Sequence, residues 1–230
     1  GFFNENVVAE YSYEDSVLDG VNVGYDVYEI ETDVTSVGAK LDAKEWVDDR
    51  DKLTRKKRWD QTEEEKDYNN KALDRSVVNP SQIRQVIKAM KAAVEAKIFP
   101  NRNEVPKTLI FAKTDSHADD IIHMVREEYG QGNDLCQKVT YNAKGPDAVL
   151  SDFRNEYNPR MAVTVDMIAT GTDVKPLEVL LFMRDVRSKG YYEQMKGRGV
   201  RSLSFEELHR ISQSATSAKD RFILIDAVGV

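Results

Sequence analysis

From residue 105 onward, short apolar runs alternate with longer stretches whose apolar residues recur every three or four positions. The apolar runs are KTLIFA (107–112), QKVTY (137–141), RMAVTV (160–165), EVLLFM (178–183) and RFILIDAV (221–228). Each is short and nearly continuous, as strands buried on both faces are. Between them, DSHADDIIHMVREEY (115–129) turns Ile121, Ile122 and Val125 to one side of a helix. GPDAVLSDFRNEY (145–157) opens with Pro146 at a helix start, and KGYYEQMKG (189–197) makes a shorter helix. Ser204 and Glu207 form a capping box ahead of FEELHRI. Strand–helix alternation of this kind predicts an α/β fold, a parallel sheet with helices on both faces.

Upstream the pattern is less regular. GYDVYEIETDV (24–34) reads as a strand, being rich in β-branched and aromatic residues. Asn79 as cap and Pro80 at the first helical position start a long amphipathic helix. Its core face is Ile83, Val86, Ile87, Met90, Val94 and Ile98. Between these elements, residues 42–75 are mostly charged, and Thr62 with Glu65 fits a capping box, so an exposed helical excursion is expected. Its KKRW (56–59) reads as a solvated face.

Composition sharpens the class. The chain has 230 residues, 40% hydrophobic and 32% charged, enough apolar material for a core. A single cysteine, Cys136, allows no internal disulfide, which points to a reducing cytoplasm. No apolar run approaches the roughly 18 residues of a membrane span. His117, His123 and His209 have no partners at metal-ligand spacing. The chain begins GFFNEN, without an initiator Met, and stops just after an apolar run, so both ends read as cuts in something longer.

Charge then singles out one stretch. The net charge is −7, and residues 1–60 carry 15 acids against 8 bases. Residues 184–201 reverse this with six bases (Arg184, Arg187, Lys189, Lys196, Arg198, Arg201) against Asp185 and Glu193. Overall acidity argues against a general nucleic-acid coat, but not against one local anion site. Ligands of parallel α/β sheets bind beyond the carboxyl ends of the strands. Both TVDMIATGTDV (164–174) and RDVRSKGYYEQMKGRGVR (184–201) leave strands there. Thr164, Asp166, Gly171, Thr172 and Asp173 are therefore expected to share one cleft with Gln194, Arg198 and Arg201. Arginine forks three residues apart suit phosphate oxygens. Taken alone, the two arginines read as solvated helix-end charges.

Four blocks in order, with one early stretch, change that reading. QMKGRGVR is similar to motif VI of superfamily 2 helicases, QxxGRxxR; TVDMIATGTDV resembles motif V and TLIFAKT motif IV. Together with FILIDAVGV and the early stretch AEYSYEDSVLDGVNVGYDVYEIETDV, they most resemble the motor (R) subunit of type I restriction enzymes. The resemblance implies a second RecA-like motor domain. Residues 1–41 would be its leading segment from the first motor domain, 42–100 the charged excursion and connecting helix, and 101–230 the core.

It also implies roles. Arg198 and Arg201 would reach the γ-phosphate of ATP as arginine fingers, with Gln194 positioning that site. Gly171, Asp173 and Gly197 would line the nucleotide side. Thr164, Asp166, Lys113 and Thr114 would lie towards the DNA backbone. Thr164 lies nine residues before Asp173, where many helicases place the motif V threonine eight before. The chain has no GxxxxGK[ST] loop and no DEAD- or DEAH-type box, so ATP and Mg2+ would be held mainly by the first motor domain. Implied partners are double-stranded DNA, the first RecA-like and nuclease domains of the same parent chain, and methyltransferase and specificity subunits. Two alternatives stand beside this: another superfamily 2 DNA or RNA motor, and a non-catalytic helicase-like binding module.

Overall fold

The computed structural model describes residues 12–30, 39–41, 46–50, 57–61, 66–68, 80–165, 173–186 and 188–227. Side chains are described in all but the four short strands between 39 and 68. The core is one six-stranded sheet of order β1-β10-β9-β6-β8-β7, parallel throughout. Its strands are β1 (Gly24–Glu29), β6 (Thr108–Phe111), β7 (Cys136–Lys138), β8 (Met161–Thr164), β9 (Val179–Phe182) and β10 (Arg221–Asp226). The five downstream apolar runs thus become the five downstream strands, with β7 one residue earlier and shorter than QKVTY suggests.

Alternation along the strands divides the core in two. Ile110, Val163, Leu181, Ile223 and Ile225 face one way, under α2 (Pro80–Ala93) and α3 (Asp115–Tyr129). Leu109, Phe111, Ala162, Leu180, Phe182, Phe222 and Leu224 face the other, with Leu150 and Phe153 of α4 (Pro146–Asn155) and Met195 of α5 (Lys189–Lys196). The predicted face of α2 is the buried one, but its last turn widens into a π-helix over Val94–Ile98. The capping box of Ser204 and Glu207 forms as the sequence predicts and starts α6 (Phe205–Ile211). A second box, Ser12 with Asp15, starts α1 (Tyr13–Leu18). Among the described residues no helix is long and apolar enough to cross a membrane.

The charged excursion is not helical where it is described. It forms two antiparallel pairs: β2 (Ala39–Leu41) with β5 (Lys66–Tyr68), and β3 (Trp46–Arg50) with β4 (Lys57–Gln61). Charge density misled the helix expectation, because an alternating polar ribbon tolerates charge on both faces as a helix does. In the backbone register Asp49 pairs with Arg58. The capping box expected at Thr62 and Glu65 lies outside the described residues, as does Asn79.

Because every strand of the six-stranded sheet is parallel, that sheet has an amino edge and a carboxyl edge. The amino edge carries buried charge held by main-chain and ionic partners, although Glu178 Oε2 and Arg102 Nη1 make no hydrogen bond among the described residues. Lys107 Nζ donates to the carbonyls of Glu156 and Pro159, at 2.7 Å each. The Arg160 guanidinium donates to the carbonyls of Val105, Tyr157 and Ile211 and to Ser212 Oγ. Arg102 meets Glu178 at 2.6 Å. These contacts pin the loops that feed β6, β8 and β9.

Candidate nucleotide-facing site

The segment bearing the arginine pair begins where α5 ends. Gly197 is the C-cap of α5, donating its N–H to the carbonyl of Glu193 at 2.8 Å. Two residues on, Gly199 lies flat against β10. A Cβ there would sit 2.6 Å from the Phe222 ring, so only glycine allows this approach. Arg198 and Arg201 flank this contact and thus issue from a backbone that has little room to move.

The leading segment fixes the other side. Val23 N–H donates to the Val200 carbonyl at 2.7 Å, and Asn22 forms an antiparallel bridge with Arg201. Ser202 Oγ donates to the Val21 carbonyl at 3.2 Å. Behind them, Lys196 Nζ pairs with Glu193 at 2.7 Å and lies 4.9 Å from the Tyr25 ring, 5.7 Å from Tyr192 and 6.0 Å from Tyr13. Burial opposes its charge, but the Glu193 carboxylate and the Tyr25 hydroxyl outweigh that and hold its pKa above the ordinary lysine value. Lys196 therefore belongs to packing, not to an open anion site.

At the surface, Arg201 Nε lies 3.6 Å from Asp173 Oδ2, both side chains about half exposed. Arg198 Nε donates to the Gln194 carbonyl at 3.1 Å. Burial lowers the Arg198 pKa from its ordinary value, and the nearby Asp173 charge opposes that. Gln194 itself is exposed. So motifs V and VI do converge, through Asp173, Arg198 and Arg201.

They do not converge where the sequence reading put them. Asn22 and Val23 immediately precede β1, whose first residue Gly24 pairs with Arg221, the first of β10. Arg201 is bridged to Asn22, so the arginine pair and Asp173 lie at the amino edge of the sheet. Thr164, by contrast, ends β8 at the carboxyl edge, with Lys113 and Thr114 following β6 on that same edge. The expected single cleft is therefore two sites on opposite edges. The reason is length: α5 has eight residues and runs back about 12 Å, much the same as a four-residue strand covers. The chain leaves β9 at one edge and delivers motif VI to the other.

The carboxyl-edge residues also differ from expectation. Thr164 is fully buried, and its hydroxyl has no hydrogen-bond partner among the described residues. In this conformation it reaches no surface. Thr114 caps α3, its hydroxyl accepting from the His117 N–H. Lys113 is half-buried beside it. Asp166, Gly171 and Thr172 lie outside the described residues.

One residue that sequence reasoning passed over sits between the two loops. Lys219, 5% exposed, donates from Nζ to the Gly199 carbonyl at 2.7 Å and to the Lys175 carbonyl at 3.0 Å. Burial pushes its pKa down to about 7, against the favourable charges of Glu178 and Asp173. A lone lysine in a polar loop carries no sequence signal of such a role.

An all-parallel sheet sandwiched by helices, with an arginine pair anchored at one edge, defines a RecA-like domain of the helicase class. A profile of the helicase conserved C-terminal domain matches residues 85–202, and the chain belongs to that family. Among curated proteins it is similar to the EcoKI type I restriction enzyme endonuclease subunit of Escherichia coli K12, 30% identical over 84% of this chain and 17% of that protein. The EcoAI endonuclease subunit of Escherichia coli is 23% identical over 83% of this chain and 22% of its own length. The chain thus spans about a fifth of the curated relatives it matches. A structure described as a fragment of a type I restriction enzyme HsdR subunit, from Vibrio vulnificus YJ016, superposes with a TM-score of 0.64. It covers 97% of this chain and 35% of that one at 20% identity, which shows the shared fold. The resemblance to type I R subunits is thereby borne out, and so is the RecA-like fold.

Proposed function

We propose that this chain is the second motor domain of an ATP-dependent double-stranded DNA translocase in a type I restriction–modification system. Arg198 and Arg201 supply fingers to a nucleotide held mainly by a first motor domain, with Mg2+ bound there. The observation that carries this reading is the pairing of an exposed arginine fork with an immobile backbone. Arg201 is half exposed and its only ionic partner among the described residues is the equally exposed Asp173. Meanwhile the main chain on either side is fixed by Gly199 against Phe222 and by the Asn22 bridge. A finger needs this combination: a mobile charged end and a preorganised base.

Chemically, phosphoryl transfer spreads charge over the γ-phosphate oxygens, and a planar guanidinium matches that charge bidentately. Arg201 exchanges the Asp173 carboxylate for phosphate oxygens at low cost, since an exposed pair is worth at most about 1 kcal/mol. Gln194 and Gly197, exposed at the end of α5, border the same face. Lys113 and Thr114 belong to the opposite edge, towards the DNA backbone, and Asp166 is assigned to the same role by the motif V resemblance alone. Methyltransferase and specificity subunits, and a nuclease domain of the same parent chain, complete the assembly in a cytoplasmic setting.

The test is Arg201→Ala in a full-length protein carrying this domain. ATP binding stays within about twofold, while DNA-stimulated hydrolysis falls by about 10³-fold or more. If Arg201→Ala and Arg198→Ala each keep more than about a tenth of the rate, neither is a finger and the reading fails.

A further inference from the structure

The two loops that build the site touch through one buried ammonium. Lys219 lies two residues before β10, and its side chain enters the gap between the segment after Asp173 and the segment between Arg198 and Arg201. Its N–H and Leu203 form an isolated antiparallel bridge, with the Lys219 N–H donating to the Leu203 carbonyl at 3.0 Å. That contact holds the far end of the arginine segment. Its Nζ takes the Gly199 carbonyl at 2.7 Å in the middle of that segment, and the Lys175 carbonyl at 3.0 Å in the other. A buried cation normally seeks a carboxylate. Both acceptors here are main-chain carbonyls, with Glu178 and Asp173 acting as more distant charges.

This arrangement does two things that a hydrophobic side chain of the same size cannot. It fixes the spacing between Asp173, two residues before Lys175, and the arginine pair that flanks Gly199. It also restrains Gly199, which the Phe222 ring already crowds where a Cβ would stand. We infer that Lys219 is a positioning residue for the arginine pair, tying motif V to motif VI through their backbones so that Arg198 and Arg201 project at a fixed distance from Asp173. Lys219 has no path to substrate, being buried. It acts only through the carbonyls it holds. A displacement of about 1 Å in a finger is enough to cost around 10²-fold in rate. The inference rests on the finger reading of Arg198 and Arg201.

The experiment compares three variants of a full-length protein carrying this domain: Lys219→Met, Arg201→Ala, and the two combined. DNA-stimulated ATP turnover and the Kd for ATP are measured for each. Lys219→Met is expected to lower kcat about tenfold or more with Kd within twofold. The double variant is expected to lose less than the product of the two single losses, because the Arg201 share of the Lys219→Met loss is already gone in Arg201→Ala. A residue that merely stabilised the fold would multiply its loss onto that of Arg201→Ala. Turnover of Lys219→Met at the wild-type rate, or a multiplicative double variant, overturns the inference while leaving the finger reading intact. An active Arg201→Ala sinks the finger reading and this inference with it. Where Lys219→Met does not fold, Lys219→Gln is measured in the same way; it keeps a donor but is too short to span both carbonyls. Failure of both to fold also counts against the inference, since Lys219 would then serve the fold and not the fingers.

Discussion

Arg201 and Asp173, one from each of two motifs 28 positions apart in sequence, meet at 3.6 Å on the amino edge of the sheet. The pair is half exposed, so water competes for both partners. It marks where the two motifs converge without being what holds them together. That task falls to Gly199, Lys219 and the Asn22 bridge.

Stability should follow this division of labour. Asp173→Asn is expected to change the unfolding free energy by less than about 1 kcal/mol. Gly199→Val should cost about 1–3 kcal/mol or more, because its Cβ starts 2.6 Å from a buried ring between packed elements. Urea unfolding of the chain decides between them, and a Gly199→Val midpoint equal to that of Asp173→Asn would contradict the packing account.

Arg201→Lys separates charge from shape. An ammonium keeps the charge but loses the planar fork. In the full-length protein it should reduce DNA-stimulated ATP turnover nearly as much as Arg201→Ala, with ATP affinity preserved. Retention of half the wild-type rate would show that charge alone suffices.

The 230-residue chain by itself offers a different test. It lacks a phosphate-cradling loop, so it should hydrolyse no ATP above background and bind it only weakly. Its net charge of −7 should make duplex binding weak, with a shallow salt dependence because few phosphates are neutralised. Calorimetry and a salt titration measure both. Micromolar ATP binding with DNA-stimulated turnover, or nanomolar DNA binding at 200 mM salt, would contradict the charge map.

Two buried lysines set a pH dependence. Lys107 and Lys219 are each pushed down to about 7 by burial, whereas an unfolded lysine titrates near 10.4. Between those values the unfolded chain binds more protons, so stability rises with pH through that window. Below about 7 both states are protonated, and this contribution is flat and least favourable. The slope is at most about 1.4 kcal/mol per pH unit for each lysine. Cys136, pushed up to about 12, works in the opposite direction once the unfolded thiol ionises near 8.5. Urea midpoints should therefore increase between pH 7 and pH 8, and Lys107→Met should remove part of that increase. Midpoints that are level or falling over this interval would refute it.

The sequence is most informative where one physical demand dominates. Ile110, Val163, Leu181 and Ile223 are all buried in strands covered on both faces, so unbroken apolar runs revealed them. The faces of α2 and α3 followed from spacing, and α6 from the reciprocal bonds of Ser204 and Glu207. The charged stretch was not legible, since Glu and Lys suit an exposed ribbon and an exposed helix alike. At the site, the residue types were legible and their placement was not. Nothing in KGYYEQMKG says that its helix is as long as the neighbouring strand, and that length moves Arg201 to the other edge. Lys219 was invisible because its partners are carbonyls, which every residue has.

The two antiparallel pairs in the charged stretch have a consequence for how its length can drift. Ala39 opposes Tyr68, Leu41 opposes Lys66, Trp46 opposes Gln61 and Arg50 opposes Lys57. Each step forward on one arm is matched by one step back on the other, with four residues between the pairs on both arms. All eight pairings thus share a single register. Adding or deleting one residue on one arm alone would turn every side chain beyond it to the opposite face. Relatives that keep this pairing can therefore lengthen or shorten the paired strands only in mirrored steps.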